Sequence, residues 1–312
     1  MTIRLSWPSQ ASKALTGFEI YRKVGYDATI DVNNPGTPVA TLPGTATEYV
    51  EPVANLTEKT MYSYWVASVK GTERVFGAKI VQAFYLDVGP GPQVPIRGDW
   101  YCGYFGVVSP DDFFNRAEIQ AQLTTAQSAL FQNNIVGWHK FIYKGRIVFF
   151  PTTQSGTTTY LVIYGRGMAY GTDDNGIVVP SGSAAVAQNA RVAKAGRQYR
   201  IRLPYATEYG SPGGNSAYDE GEWRNTMARL YLTGYNYTET IDKQGRGQGK
   251  LDGLQVLGTN SNTTDAGTTA MVPLYATSTL FYNYSYNPVT IQTSNSLNSN
   301  VGYFLALELI LP

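Results

Sequence analysis

The chain is poor in the residues that most often carry chemistry. It has one cysteine, Cys102, and one histidine, His139, in 312 residues. A single cysteine allows no intrachain disulfide, which excludes a disulfide-stapled secreted domain. A single histidine excludes a multi-histidine metal site. Charge is scarce as well: Asp, Glu, Lys and Arg make up 15% of the chain and the formal net charge is +1. Nucleic acid ordinarily demands a basic face, so it is not expected as a partner. Lys and Glu, the usual fillers of solvent-exposed helices, are few. No stretch approaches the roughly 20 apolar residues of a membrane-spanning helix, and Met1–Trp7 lacks the apolar run of a signal peptide. The expectation is a soluble product, made without a cleaved export signal and without a membrane partner.

What is abundant is Tyr, Gly, Thr, Ser and Asn, with 24 tyrosines and 32 glycines. That mixture suits strands joined by turns, and the length accommodates two domains. The expected fold is mainly β. An N-terminal sandwich over residues 1–86 and a Pro/Gly linker over 87–97 are followed by a larger β-rich α+β domain over 98–312 with one or two short helices.

In the first domain, Ile3, Leu5 and Trp7 alternate, as do Phe18 and Ile20, and Tyr62, Tyr64 and Val66. Turn signals at Asn33-Asn34-Pro35-Gly36, Pro43-Gly44 and Lys70-Gly71 separate these short strands, a pattern that predicts a sandwich or barrel. Leu5-Ser6-Trp7, Gly17-Phe18-Glu19-Ile20-Tyr21-Arg22 and the run from Leu56 to Ala67 resemble the fibronectin type III domain. The resemblance covers about the first quarter of the chain. It implies a tyrosine corner, with Leu56 six residues ahead of Tyr62 and the Tyr62 hydroxyl bonded back to the backbone. It implies little about function, since this sandwich serves mostly to space or dock. The period of two that turns Tyr62, Tyr64, Phe18 and Ile20 inward turns Trp65 and Tyr21 outward on one sheet. Two adjacent outward aromatics make Tyr21 and Trp65 interface candidates.

Three prolines between Asp87 and Pro95 predict an extended, semi-rigid spacer. Beyond it, Ser109-Pro110-Asp111-Asp112 reads as a helix start, carried through Phe113, Phe114 and Ile119 toward Leu123. Trp138–Tyr143 and Ile147–Phe150 read as a hairpin turned at Lys144-Gly145 and stopped by Pro151. Tyr160–Tyr164 reads as a strand. Gln198–Leu203 reads as another, with Tyr199, Ile201 and Leu203 inward and Arg200 and Arg202 outward. Asp219–Leu232 reads as a helix with Trp223, Met227 and Leu230 on one face. Tyr303–Leu311 is apolar on both sides, as in the middle of a covered sheet. Glu308 interrupts that run, so if buried it needs a hydrogen-bonding or cationic partner.

Residues 100–312 resemble a domain of tailed-bacteriophage structural proteins. The marks are Trp138-His139-Lys140-Phe141 with Lys144-Gly145, then Gly196 to Leu203 around Tyr199, then Glu222-Trp223 after a Gly-rich loop, then Leu307-Glu308-Leu309-Ile310. Members often carry an arginine and a proline just before that ending, where this chain has Tyr303-Phe304-Leu305-Ala306. The resemblance implies a virion component made in the bacterial host cytoplasm. It implies other virion proteins as partners and several copies or a homo-oligomer in the particle. No catalytic residue, metal ligand or cofactor comes with it. Trp7, Leu56, Tyr62, Trp138, Phe141, Tyr199, Trp223 and Glu308 are expected to be structural.

The remaining candidates have ordinary readings. Cys102 between aromatics reads as a buried inert thiol, and His139 has no partner that the sequence can place. Asp111-Asp112 suits a helix N-terminus. Asp173-Asp174-Asn175-Gly176 lacks the closing glutamate of a calcium loop, and Gly245 to Lys250 lacks Walker spacing. Tyr235, Tyr237, Tyr282, Tyr284 and Tyr286 form Tyr/Asn clusters of the kind that bind sugars or proteins. They carry the alternative reading, a tail-fibre adhesin recognising host glycan. A glycan-cleaving enzyme would need a carboxylate pair in a cleft, and scattered charges nominate none. The expectation is therefore a non-enzymatic structural protein attached to tail, neck or capsid surface.

Overall fold

The computed structural model describes residues 2–205, 222–227, 230, 270–272, 280–284 and 291–311. The protein is mainly β and divides into two units. The first comprises residues 1–87 and 99–101, the second residues 88–98 and 102–312.

In the first unit, strands β1 (Arg4–Ser6), β2 (Gly17–Val24), β3 (Ala40–Pro43), β4 (Glu48–Val50), β5 (Thr60–Lys70), β6 (Glu73–Phe76) and β7 (Ile80–Phe84) form two antiparallel sheets. One sheet pairs β1 with β4, and the other has the order β3-β2-β5-β6, with β7 also on β5. Leu5 and Tyr49 from the small sheet, with Ile3 just before β1, meet Ile20, Tyr62, Tyr64 and Phe84 from the large one, with Trp7, Leu56 and Val66 packed against them. This shared apolar core is what makes the unit a sandwich. The Thr57 N–H donates to the Tyr62 hydroxyl at 2.7 Å, the backbone bond expected of this tyrosine. Trp7 donates its indole N–H to the Ala46 carbonyl at 2.8 Å. Asp99–Tyr101 belongs to this unit: Tyr101 stacks on Tyr26 and Trp100 on Tyr85. Trp100 and Tyr101 thus group with the first unit.

The second unit contains β8 (Arg97–Gly98), β9 (Cys102–Val108), α1 (Arg116–Gln120), α2 (Thr125–Ser128), β10 (Trp138–Tyr143), β11 (Arg146–Pro151), β12 (Gly156–Thr158) and α3 (Tyr160–Gly165). It continues with β13 (Arg191–Lys194), β14 (Arg197–Arg202), α4 (Glu222–Asn225), β15 (Ala270–Val272), β16 (Leu280–Tyr284), β17 (Ile291–Ser296), β18 (Val301–Tyr303) and β19 (Ala306–Ile310). A seven-stranded sheet in the order β13-β14-β19-β11-β10-β9-β8 organises it. The hairpin β10–β11 turns at Lys144 and Gly145 with φ of 48° and 82°. Two positive values in a two-residue loop define a type I′ turn, whose twist matches the strands, and glycine is the residue that adopts the second one freely. The last strand, β19, lies between β14 and β11, so the end of the chain is interior to the sheet as its apolar run predicts.

Both faces of this sheet are covered. On one, Phe113 and Phe114 pack against Tyr199, and Phe113 also meets Phe149 and Trp138. The Trp138 indole N–H donates to the Phe114 carbonyl at 2.7 Å. On the other, Trp223 of α4 packs against Phe150 and Phe304.

Several expectations are corrected. Ser109 begins only one helical turn: its hydroxyl accepts the Asp112 N–H, and the helix proper starts later at Asn115, which forms a capping box with Glu118. The hydroxyl of Thr159 accepts the Val162 N–H, and Tyr160, Ile163 and Tyr164 are buried at i, i+3 and i+4. A capped segment with that spacing is a helix, so Tyr160–Tyr164 is not a strand. Arg202 does not point to solvent; it is fully buried because α4 covers the face where an outward residue would lie. Residues 88–98 are not a free linker. Val88 is fully buried, and a Cβ on Gly89 would stand 3.1 Å from the Phe149 ring. Gly89 has φ +77°, so glycine both permits the turn and lets the strap approach the sheet.

Candidate functional site

In the second unit a cluster of buried charges gathers around Arg202. Arg202, at the end of β14, makes a two-pronged pair with Glu222 of α4, at 2.8 Å and 2.7 Å. Its Nε donates to Glu308 of β19 at 2.7 Å, and its Nη1 also donates to the Leu203 carbonyl at 3.1 Å. Its guanidinium lies 4.0 Å from the centre of the Tyr205 ring. Tyr205 in turn donates its hydroxyl to the Tyr170 carbonyl at 2.8 Å. Arg146 of β11 completes the group, with Nε 3.7 Å from Glu222 and its guanidinium between the Tyr205 and Tyr143 rings. Glu308 thus has the cationic partner its place in an apolar strand requires.

The electrostatics follow from burial and pairing. Burial alone would raise the Glu222 carboxyl, but Arg202 outweighs it and holds that carboxyl below the usual range. Burial also works against the Arg202 charge, yet Glu222, Tyr205 and Glu308 keep it firmly ionised. Burial pushes the Tyr205 hydroxyl up to about 12. Two carboxylates therefore do meet here, which the scattered sequence positions 222 and 308 concealed. A glycosidase acid must hold a proton near neutral pH and so needs a raised pKa. Glu222 is displaced the other way, both its oxygens are taken by one guanidinium, and its side chain is wholly buried. The arrangement suits a fastener joining β14, β19, β11 and α4.

A second fastener sits at Lys140 in β10. Its side chain is buried, and its ammonium donates to the carbonyls of Pro90 at 2.9 Å and Pro92 at 2.6 Å, with Gly89 at 3.4 Å. It also lies 4.7 Å from the centre of the Phe105 ring. Three carbonyls turned toward one ammonium hold the strap of residues 88–98 on the sheet. Sequence reasoning missed this because prolines without a visible partner read as a spacer; the available signal was a lysine inside a strand of mostly aromatic and aliphatic residues.

The interface candidates Tyr21 and Trp65 are placed together but not exposed. They face each other across β2 and β5, on the side away from the main core as the alternation requires. They are only 3% and 5% exposed, packed with Ala67, Phe76 and with Ala28 and Ile30. Ala28 and Ile30 belong to the long β2–β3 connection, which covers the outer aromatic face. A solvent-facing aromatic dock on this sheet is therefore ruled out. Tyr235, Tyr237 and Tyr286 lie outside the described residues. Tyr282 and Tyr284 fall on β16, which pairs with β15 and β17, and only their backbone is described.

Trp138, Phe141, Tyr199 and Trp223 are buried in the second unit and Tyr62 in the first. The thiol of Cys102 is buried and donates to the Asn225 carbonyl at 3.3 Å. In the Asp173–Gly176 turn, the Asp174 carboxylate accepts from Thr172 and from the Gly176 N–H, and Asp173 pairs with Arg191. Among the described residues no three His, Cys, Asp or Glu side chains come together as a metal site, and no helix is long and apolar enough to cross a membrane. Compared with known families and with curated proteins, the chain matches none.

Proposed function

We propose that this chain is a non-enzymatic structural component of a bacteriophage particle, attached at the tail, neck or capsid surface and docking through protein–protein contacts. One observation carries the reading. The marks by which residues 100–312 resemble phage structural proteins serve as internal fasteners of one sheet. Lys140 of the hairpin mark ties down the strap. Arg202, Glu222 and Glu308, from the other three marks, tie one another. Residues that brace a rigid body, with its buried charges spent internally, fit packing better than turnover. The first unit, with the Tyr62 corner, is proposed as a fibronectin type III-type spacer or docking module.

The test is direct. Purified particles of the source phage are analysed by mass spectrometry, and a labelled antibody against the chain is located on them by electron microscopy. The expected result is stoichiometric presence and decoration at a fixed position. Absence from particles that are otherwise complete would overturn the proposal.

A further inference from the structure

His139 is not used by either fastener, and its surroundings are unusual for an imidazole. The side chain is fully buried in β10, within the central hairpin. Its Nδ1 lies 2.9 Å from the Tyr104 hydroxyl of β9. Its Nε2 is buried with no hydrogen-bond partner among the described residues. Across the strands it faces Val107 and Phe150. A neutral ring tolerates this site with one satisfied nitrogen. A protonated ring carries two N–H donors and a positive charge, and among the described residues Nε2 has no acceptor to meet it.

Among the described residues, no carboxylate is bonded to the ring to offset that charge. On the sheet face that carries His139, β9 contributes Tyr104 and Cys102, and β10 contributes Tyr143. Arg97 comes from β8, opposite Tyr104, Arg146 from β11, Arg191 from β13, Arg200 and Arg202 from β14, Glu308 from β19, and Glu222 reaches Arg202 from α4. Glu222 and Glu308 are bound to Arg202, and neither is hydrogen-bonded to the imidazole. Lys140, the next residue, turns to the opposite face. Burial pushes the His139 imidazole down to about 4, and holds the Tyr104 hydroxyl at about 12, so that hydroxyl stays neutral throughout.

We propose that His139 makes the second unit acid-labile: the ring takes up a proton only when the buried contact between β9 and β10 opens, so mild acid loosens the sheet around the central hairpin. The direction follows from linkage. The folded ring binds its proton less readily than the unfolded one, so between pH 6.5 and about 4 the unfolded state holds more protons. The stability that a neutral His139 provides is complete above pH 6.5 and falls as the pH drops toward 4. The first unit contains no histidine, so it lacks this response. One titrating ring makes the unfolding constant of the second unit rise roughly twentyfold between pH 7 and pH 5, given its displacement to about 4.

The experiment uses the full chain and its His139→Gln variant, because glutamine can still bond to Tyr104 but does not titrate. Denaturant unfolding and hydrogen exchange, corrected for intrinsic rates, are followed from pH 7 to pH 5. The expected result is faster opening of peptides spanning β9 to β11 in the wild type alone, with peptides of β2 and β5 unchanged in both. Parallel pH profiles for the two proteins, or a flat wild-type profile, would overturn the proposal. If the variant does not fold, the single imidazole resonance of the wild type decides. No titration in the folded protein above pH 5 supports the proposal, and titration near 6.5 refutes it.

Discussion

Replacing Arg202 by methionine tests whether the buried cluster holds the second unit together. The substitution keeps an apolar stem of similar length and removes the charge and every donor. Glu222 then loses both its bonds of 2.8 Å and 2.7 Å and, among the described residues, keeps the Tyr205 N–H at 3.4 Å and Arg146 at 3.7 Å. Glu308 is 14% exposed and can take up water, so most of the penalty falls on Glu222, which is fully buried. Removing one partner of such a pair costs about 3–5 kcal/mol. For a unit of this size that lowers the melting temperature by about 6–20 °C. Calorimetry of the full chain should show the transition of the second unit moving and that of the first standing still. Two further results are expected. Arg202→Met/Glu222→Leu should recover much of the loss, because no uncompensated buried charge remains. The deficit of Arg202→Met should shrink as the pH falls, since a buried carboxyl without its cation takes a proton. A single variant that melts like the wild type, or a double variant worse than the single, would refute the reasoning.

Other perturbations separate the remaining claims. Lys140→Met should free residues 88–98 from the sheet, so limited proteolysis should cut there in the variant and spare the same bonds in the wild type; equal resistance would show that the ammonium does not hold the strap. Tyr62→Phe removes the bond to the Thr57 N–H and should cost the first unit about 1 kcal/mol, read as a lower denaturant midpoint at unchanged slope. Deleting Leu307–Pro312 removes most of an interior strand and leaves β14 and β11 without their partner, so soluble expression should fail, and a well-folded truncation would contradict the strand order.

Local features were legible because local chemistry fixes them. The turn at Lys144-Gly145 specifies its hairpin, since two residues with positive φ leave the flanking strands one register. The resemblance of the run from Leu56 to Ala67 to the fibronectin type III domain implied the backbone bond that Tyr62 makes, and an apolar run over Tyr303–Leu311 marked a covered strand. Alternation placed Tyr21 and Trp65 correctly on the outer side of their sheet. What covers a face is a different matter. That Ala28 and Ile30 close over those two rings depends on where a long loop goes, which no period of two encodes. Tyr160–Tyr164 carries β-branched and aromatic residues, yet the Thr159 cap and the burial of Tyr160, Ile163 and Tyr164 on one side select a helix. Arg202 alternates as a solvent residue and is nevertheless buried. Its partners, Glu222 and Glu308, stand 20 and 106 residues away. The sequence by itself determines the strands, the turns and the inward stripe of each. Only the tertiary structure decides which outward residues are covered again, and there a charge that pattern alone assigns to water must find its counter-charge in the chain.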